Sequence, residues 1–118
     1  MSGRVRSRLM LAAGLLLAAC GGSEQVNCPN LSTVCPSPPP SYANDVRPIL
    51  NARCTTCHGP GGQEAVRDLT TYQGVFQQRQ AVLTQVYSCR MPPSDAAQPT
   101  SQERQTIISW LACNAPNN

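Results

Sequence analysis

The sequence predicts a small all-α domain, and three observations predict it. From residue 41 onward, apolar residues recur three and four positions apart rather than in strict alternation. Helix-start signals stand in front of these stretches, the clearest being Thr100-Ser101-Gln102-Glu103, which has the pattern of a capping box. The one segment with strand-forming character, Leu83 to Tyr87, has no partner strand elsewhere in the chain.

Taken in order, residues 1–19 run from Arg4, Arg6 and Arg8 into an apolar stretch, Leu9 to Ala19, with the pattern of a secretory signal. The stretch is shorter than the about 20 apolar residues that a membrane span needs. It ends in Leu17-Ala18-Ala19-Cys20, which resembles the lipobox of bacterial lipoproteins. That resemblance implies cleavage before Cys20, a lipid on Cys20, and a membrane-anchored protein of the bacterial periplasm or cell envelope. Gly21 after the cysteine, rather than aspartate, leans towards the outer membrane. An ordinary cleaved signal is the alternative. Removal of the three leading arginines leaves six arginines against six acids and no lysine. The mature chain is then near neutral, which argues against nucleic acid as a partner.

Residues 20–40 carry no apolar periodicity and end in Pro38-Pro39-Pro40, the composition of an extended linker. At the polyproline rise, such a linker would reach roughly 60 Å from a lipid on Cys20. Residues 41–118 form the expected folded domain. Its first helix is expected over Asn44 to Arg53, capped by Asn44 or Asp45, with Pro48 tolerated in the opening turn. Thr70 with Gln73 predicts a short helix through Phe76, and Ala81 to Tyr87 places Val82 over Val86 and Leu83 over Tyr87. In the last helix Arg104, Ile107, Ile108 and Leu111 share a face, with Trp110 beside it. With one Trp and one Phe in the chain, a protein-only core is marginal at this length, and something else is expected to fill the centre.

Cys54-Thr55-Thr56-Cys57-His58 has the C-x-x-C-H spacing of c-type haem attachment. Two thiols add across the two haem vinyl groups, and the following histidine is placed to bind the iron. Two alternatives use the same residues. A zinc site would recruit Cys54, Cys57, Cys89 and Cys113, but the second pair lacks ligand spacing and an oxidising compartment disfavours free thiolates. A redox dithiol would sit at a helix N-terminus after a strand, whereas this motif follows a helix. For a sixth iron ligand the mature chain offers one methionine, Met91, in Arg90-Met91-Pro92-Pro93, and no second histidine. A packing methionine beneath a five-coordinate iron is the alternative.

Over about residues 42–116 the chain resembles the mitochondrial-type, or class I, cytochrome c family. A helix leads into Cys54, Cys57 and His58, short helices follow, Met91 precedes a proline pair, and a last helix carries Trp110. The resemblance implies a helical domain wrapped on one covalent haem c, with His58 and Met91 as axial ligands of the iron. It implies a one-electron carrier, not an enzyme, working as a monomer between a redox donor and an acceptor protein. A five-coordinate haem sensor, or an accessory domain of a larger redox complex, is the alternative function; a structural lipoprotein with a fortuitous motif is another. Two positions depart from the family pattern. Val46 stands where a glycine is common, and Pro60 lies too near His58 for the usual proline carbonyl to orient it. The remaining cysteines, Cys28, Cys35, Cys89 and Cys113, allow three pairings. Cys89–Cys113 with Cys28–Cys35 is favoured, since the former would staple the Met91 loop to the last helix; a free, buried Cys113 is the alternative.

Overall fold

The computed structural model describes residues 28–118. The signal segment, Cys20 and the first part of the linker lie outside the described residues. Among the described residues the chain is all-α, without strands.

The first helix opens with a π-helical turn, Tyr42–Val46, and continues as α1, Arg47–Arg53. It starts earlier than expected because Ser41, not Asn44 or Asp45, is the cap. The Ser41 hydroxyl accepts the Asn44 N–H at 3.2 Å, and the Asp45 carboxylate accepts the Ser41 N–H at 2.7 Å. The wider turn falls just before Pro48, which has no N–H to give and whose ring would crowd a carbonyl one regular turn back. α2, Tyr72–Gln77, is capped by Thr71 rather than Thr70, its hydroxyl accepting from Gly74 at 3.1 Å. Thr70 is held instead by Asp68, which accepts its N–H at 2.8 Å and its hydroxyl at 2.6 Å. α3, Arg79–Tyr87, settles the ambiguous Leu83–Tyr87 segment as helix.

α4, Ser101–Ala112, begins with the expected capping box: Glu103 N–H to the Thr100 hydroxyl at 3.1 Å, and Thr100 N–H to the Glu103 carboxylate at 2.7 Å. The same carboxylate takes both Nε and Nη2 of Arg53, each at 3.2 Å. One side chain therefore starts α4 and ties it to the end of α1. These hydrogen bonds, the Thr100 N–H first, lower the Glu103 pKa below its ordinary 4.5.

α4 is the centre of the fold. The Tyr42–Val46 turn and α3 pack on it, and Ile107, Ile108, Ser109, Trp110 and Leu111 are buried in unbroken sequence. A helix with one apolar stripe would not bury five successive residues; one covered nearly all round does. The outer cover is the segment expected to be a free linker. Ser32 exchanges two hydrogen bonds with the Gln105 amide, 3.0 and 2.8 Å, Leu31 packs on the core, and Cys35 bonds to Cys113 just past α4. The C-terminal Asn118 closes the other side through Tyr42 N–H at 2.8 Å and Ala43 N–H at 3.0 Å. Aromatic scarcity is met by concentration: Tyr42, Tyr72 and Trp110 form one cluster with centroids 5.2 to 6.4 Å apart, and Phe76 joins it through Tyr72 at 5.6 Å. Val46, which stands where the resemblance leads one to expect a glycine, is completely buried.

The expected disulfides are corrected. The bonds are Cys28–Cys89 and Cys35–Cys113, not Cys28–Cys35 and Cys89–Cys113. The reason is reach. The Met91 loop is bonded to α4 at Arg104, nine residues before Cys113, or about 14 Å along the axis at 1.5 Å per residue. A disulfide spans less than about 7 Å between Cα atoms. The extended 28–35 segment covers that distance instead and bonds at both ends. Closing loops of 61 and 78 residues, each bond stabilises the fold by roughly 4 kcal/mol in a chain-entropy account.

Two outcomes are expected. Non-reducing peptide mapping of the oxidised, purified protein should yield the 28–89 and 35–113 linked peptides, and a Cys35→Ser, Cys113→Ser double variant should lose about 2–4 kcal/mol of unfolding free energy. The lowered Glu103 pKa means its stabilisation is complete above the ordinary value of 4.5 and is lost as the pH falls through the folded-state pKa. Urea unfolding of Glu103→Gln across that range should show a flatter loss of stability with acid than the parent.

Candidate functional site

The motif grows from the end of α1. Cys54 N–H still bonds to the Leu50 carbonyl at 2.8 Å, and then Cys57 and His58 N–H both turn back to the Cys54 carbonyl, at 3.2 and 2.9 Å. This compact turn presents Cys54, Cys57 and His58 together. Cys54 and Cys57 are the free cysteines among the described residues, the other four being disulfide sulfurs.

The loop after the motif folds back over it. Glu64 N–H bonds to the Cys57 carbonyl at 2.9 Å and Leu69 N–H to the His58 carbonyl at 2.8 Å. The approach is close enough that a Cβ on Gly62 would run into the Cys57 carbonyl oxygen. The loop also supplies what the sequence left open, the partner that orients His58: its Nδ1 lies 3.2 Å from the Arg67 carbonyl oxygen. A carbonyl only accepts, so Nδ1 is the donor of this contact, and in the neutral ring the lone pair is then on Nε2. No side-chain pattern signals this contact, because the acceptor is backbone.

Electrostatics separate the readings of the cysteine pair. Burial pushes the Cys54 thiol up to about 11, against the opposing pull of the Arg104 cation. A redox dithiol needs a lowered thiol pKa, usually from a helix N-terminus; this one stands at a helix C-terminus and is shifted the other way. The zinc reading fails because Cys89 and Cys113 are consumed in disulfides. The expectation of metal binding is corrected at the same point: among the described residues no three His, Cys, Asp or Glu side chains converge to hold a metal ion. His58 is the one histidine in the chain.

Met91 is not hydrogen-bonded to the motif. It sits between α3 and α4 with its backbone fixed at both ends, N–H to the Gln85 carbonyl at 3.1 Å and carbonyl to Arg104 Nη1 at 3.0 Å, while the residue is 36% exposed. The thioether is thus carried on an anchored backbone with its sulfur uncommitted. Sequence reasoning placed Arg104 on the apolar face without giving it a role. A cation inside an apolar stripe was the available signal. Arg79, stacked 4.2 Å over the Phe76 ring, has a buried Nε without an acceptor among the described residues.

Substitution of Gly62 tests the close packing behind the motif. Gly62→Ala should lose about 1–3 kcal/mol in urea unfolding, since the obstructing atom is backbone and has nowhere to move.

In comparisons with known proteins, no family model, curated sequence or solved structure matches this chain.

Proposed function

We propose that this chain is a mono-haem c-type cytochrome, a one-electron carrier of the bacterial cell envelope. The observation that carries the reading is the division of the cysteines among the described residues: four are paired with one another, and the two left as thiols are those with two residues between them, directly before a histidine whose Nδ1 is engaged by a backbone carbonyl. Cys54 and Cys57 are the residues that would hold the haem, each thiol adding across a vinyl group to leave a thioether. His58, with Nδ1 held by the Arg67 carbonyl, would offer Nε2 to the iron, and Met91 is the candidate for the opposite side. When bound, the group supplies an iron that takes up and releases one electron. A high thiol pKa at Cys54 keeps that sulfur protonated and inert towards disulfide exchange before attachment. The free reach of the chain is shorter than its linker composition suggests. Only seven residues separate Cys20 from Cys28, which bonds to the domain, so a lipid on Cys20 would hold Cys28 within about 28 Å of the membrane even with the chain fully extended. Donor and acceptor proteins would then meet it close to the bilayer.

The exposure of Met91 supports a second reading, a five-coordinate haem that binds a small gas. Rapid carbon monoxide binding by the reduced protein favours it, and slow or absent binding favours the carrier.

The deciding experiment is a haem stain after denaturing electrophoresis of protein exported from a bacterial host with haem-attachment machinery. A stained band in the parent and none in a Cys54→Ser, Cys57→Ser double variant is expected. A soluble, folded and colourless parent overturns the proposal.

A further inference from the structure

Arg104 is 3% exposed, in the middle of the fold, and it has no carboxylate partner. The ion pairs among the described residues are Arg53 with Glu103 and Arg67 with Glu64, and Arg104 belongs to neither. A buried unpaired cation is costly, and an apolar side chain of similar volume at such a position is often neutral or better for stability. Packing alone does not account for the residue.

Its hydrogen bonds point elsewhere. Nη1 donates to the Val86 carbonyl at 3.1 Å and the Met91 carbonyl at 3.0 Å, and Nη2 to the Gln98 side-chain oxygen at 2.8 Å. The three acceptors come from the end of α3, the methionine itself and the approach to α4. Gln98 extends the grip, its amide donating to the Pro93 carbonyl at 2.7 Å and the Ala96 carbonyl at 3.2 Å. Residues 88–100 contain no helix, so the Met91 and Ala96 carbonyls have no regular ladder to satisfy them, whereas the Pro93 carbonyl also accepts the Ala96 N–H at 2.9 Å and the Val86 carbonyl, in α3, the Cys89 N–H at 3.2 Å. One guanidinium thus gathers both ends of the α3–α4 connection, with Met91 at the junction and Cys54 within range of its charge.

We propose that Arg104 is a positioning residue for Met91: through the Met91 carbonyl, and through Gln98, it holds the methionine backbone so that the thioether is presented to the group attached at Cys54 and Cys57. The inference rests on the haem reading above and goes beyond it, because it assigns a residue of the last helix to control of the sixth ligand.

The test uses the matured, haem-bearing protein. In the parent, the near-infrared methionine-to-iron band is expected, together with weak imidazole binding at the sixth position. Arg104→Met, which keeps the volume and removes the donors, should retain the stained band and the helical circular dichroism. It should weaken the near-infrared band and bind imidazole at least about tenfold more tightly, as loss of a charge-assisted hydrogen bond allows. Gln98→Ala, which leaves the buried cation in place, should move both readouts in the same direction by a smaller factor, and it serves if Arg104→Met does not fold. Unchanged band and imidazole affinity in the folded variants, or a haem-bearing parent without the band, overturns the proposal while leaving haem attachment standing. A parent without covalent haem removes the underlying reading as well.

Discussion

The enclosure of α4 is the constraint on which the other elements depend. Five successive residues, Ile107 to Leu111, are buried, and no single helix neighbour covers that much of a helix surface. The Tyr42–Val46 turn and α3 take parts of it, the C-terminal turn beyond Cys113 wraps back so that Trp110 Nε1 reaches the Pro116 carbonyl at 2.9 Å, and the 28–35 segment closes the outside. Because α1 continues from that packed turn and is tied to the start of α4 by Arg53 and Glu103, its last residue is fixed, and Cys54 follows directly. The position of the motif is a consequence of how α4 is covered.

Sulfur chemistry follows from the same geometry. Six cysteines in one small domain could pair wrongly, yet the four outer ones are drawn together by the path of the N-terminal segment along α4, with Cα separations of 5.7 and 4.8 Å. The pair in the motif is half-buried and free, with the Gly59 to Leu69 loop bonded to the Cys57 and His58 carbonyls. The loop that folds back on the motif also orients the histidine, so a single stretch of backbone holds the Cys57 and His58 carbonyls and the His58 ring at once.

The α3–α4 connection shows the opposite balance. It has no helix of its own, and Arg104 and Gln98 side chains bond its Met91, Pro93 and Ala96 carbonyls, with one backbone bond of its own from Ala96 N–H to Pro93. Such a loop is held by a few polar contacts instead of by apolar burial, which suits a segment whose methionine stands partly in solvent. The desolvation cost of a cation without a carboxylate is the physical price of that arrangement.

The amino-acid sequence by itself determined the helices and the motif, because both rest on local spacing. The Thr100–Glu103 capping box, the i, i+4 pairs of α3 and the C-x-x-C-H turn at the end of α1 involve residues only a few positions apart. Cap identity slipped by one residue at Thr71 and by more at Ser41, where a neighbouring hydroxyl competed for the same N–H groups. Only the tertiary structure decided the disulfide partners, the Arg67 carbonyl beside His58, the burial of Arg104 and the docking of residues 28–40. Each of these depends on which distant segments share a surface. Composition and periodicity describe a residue's own neighbourhood, whereas the distance between Cys28 and Cys89 is set by the whole path of the chain between them.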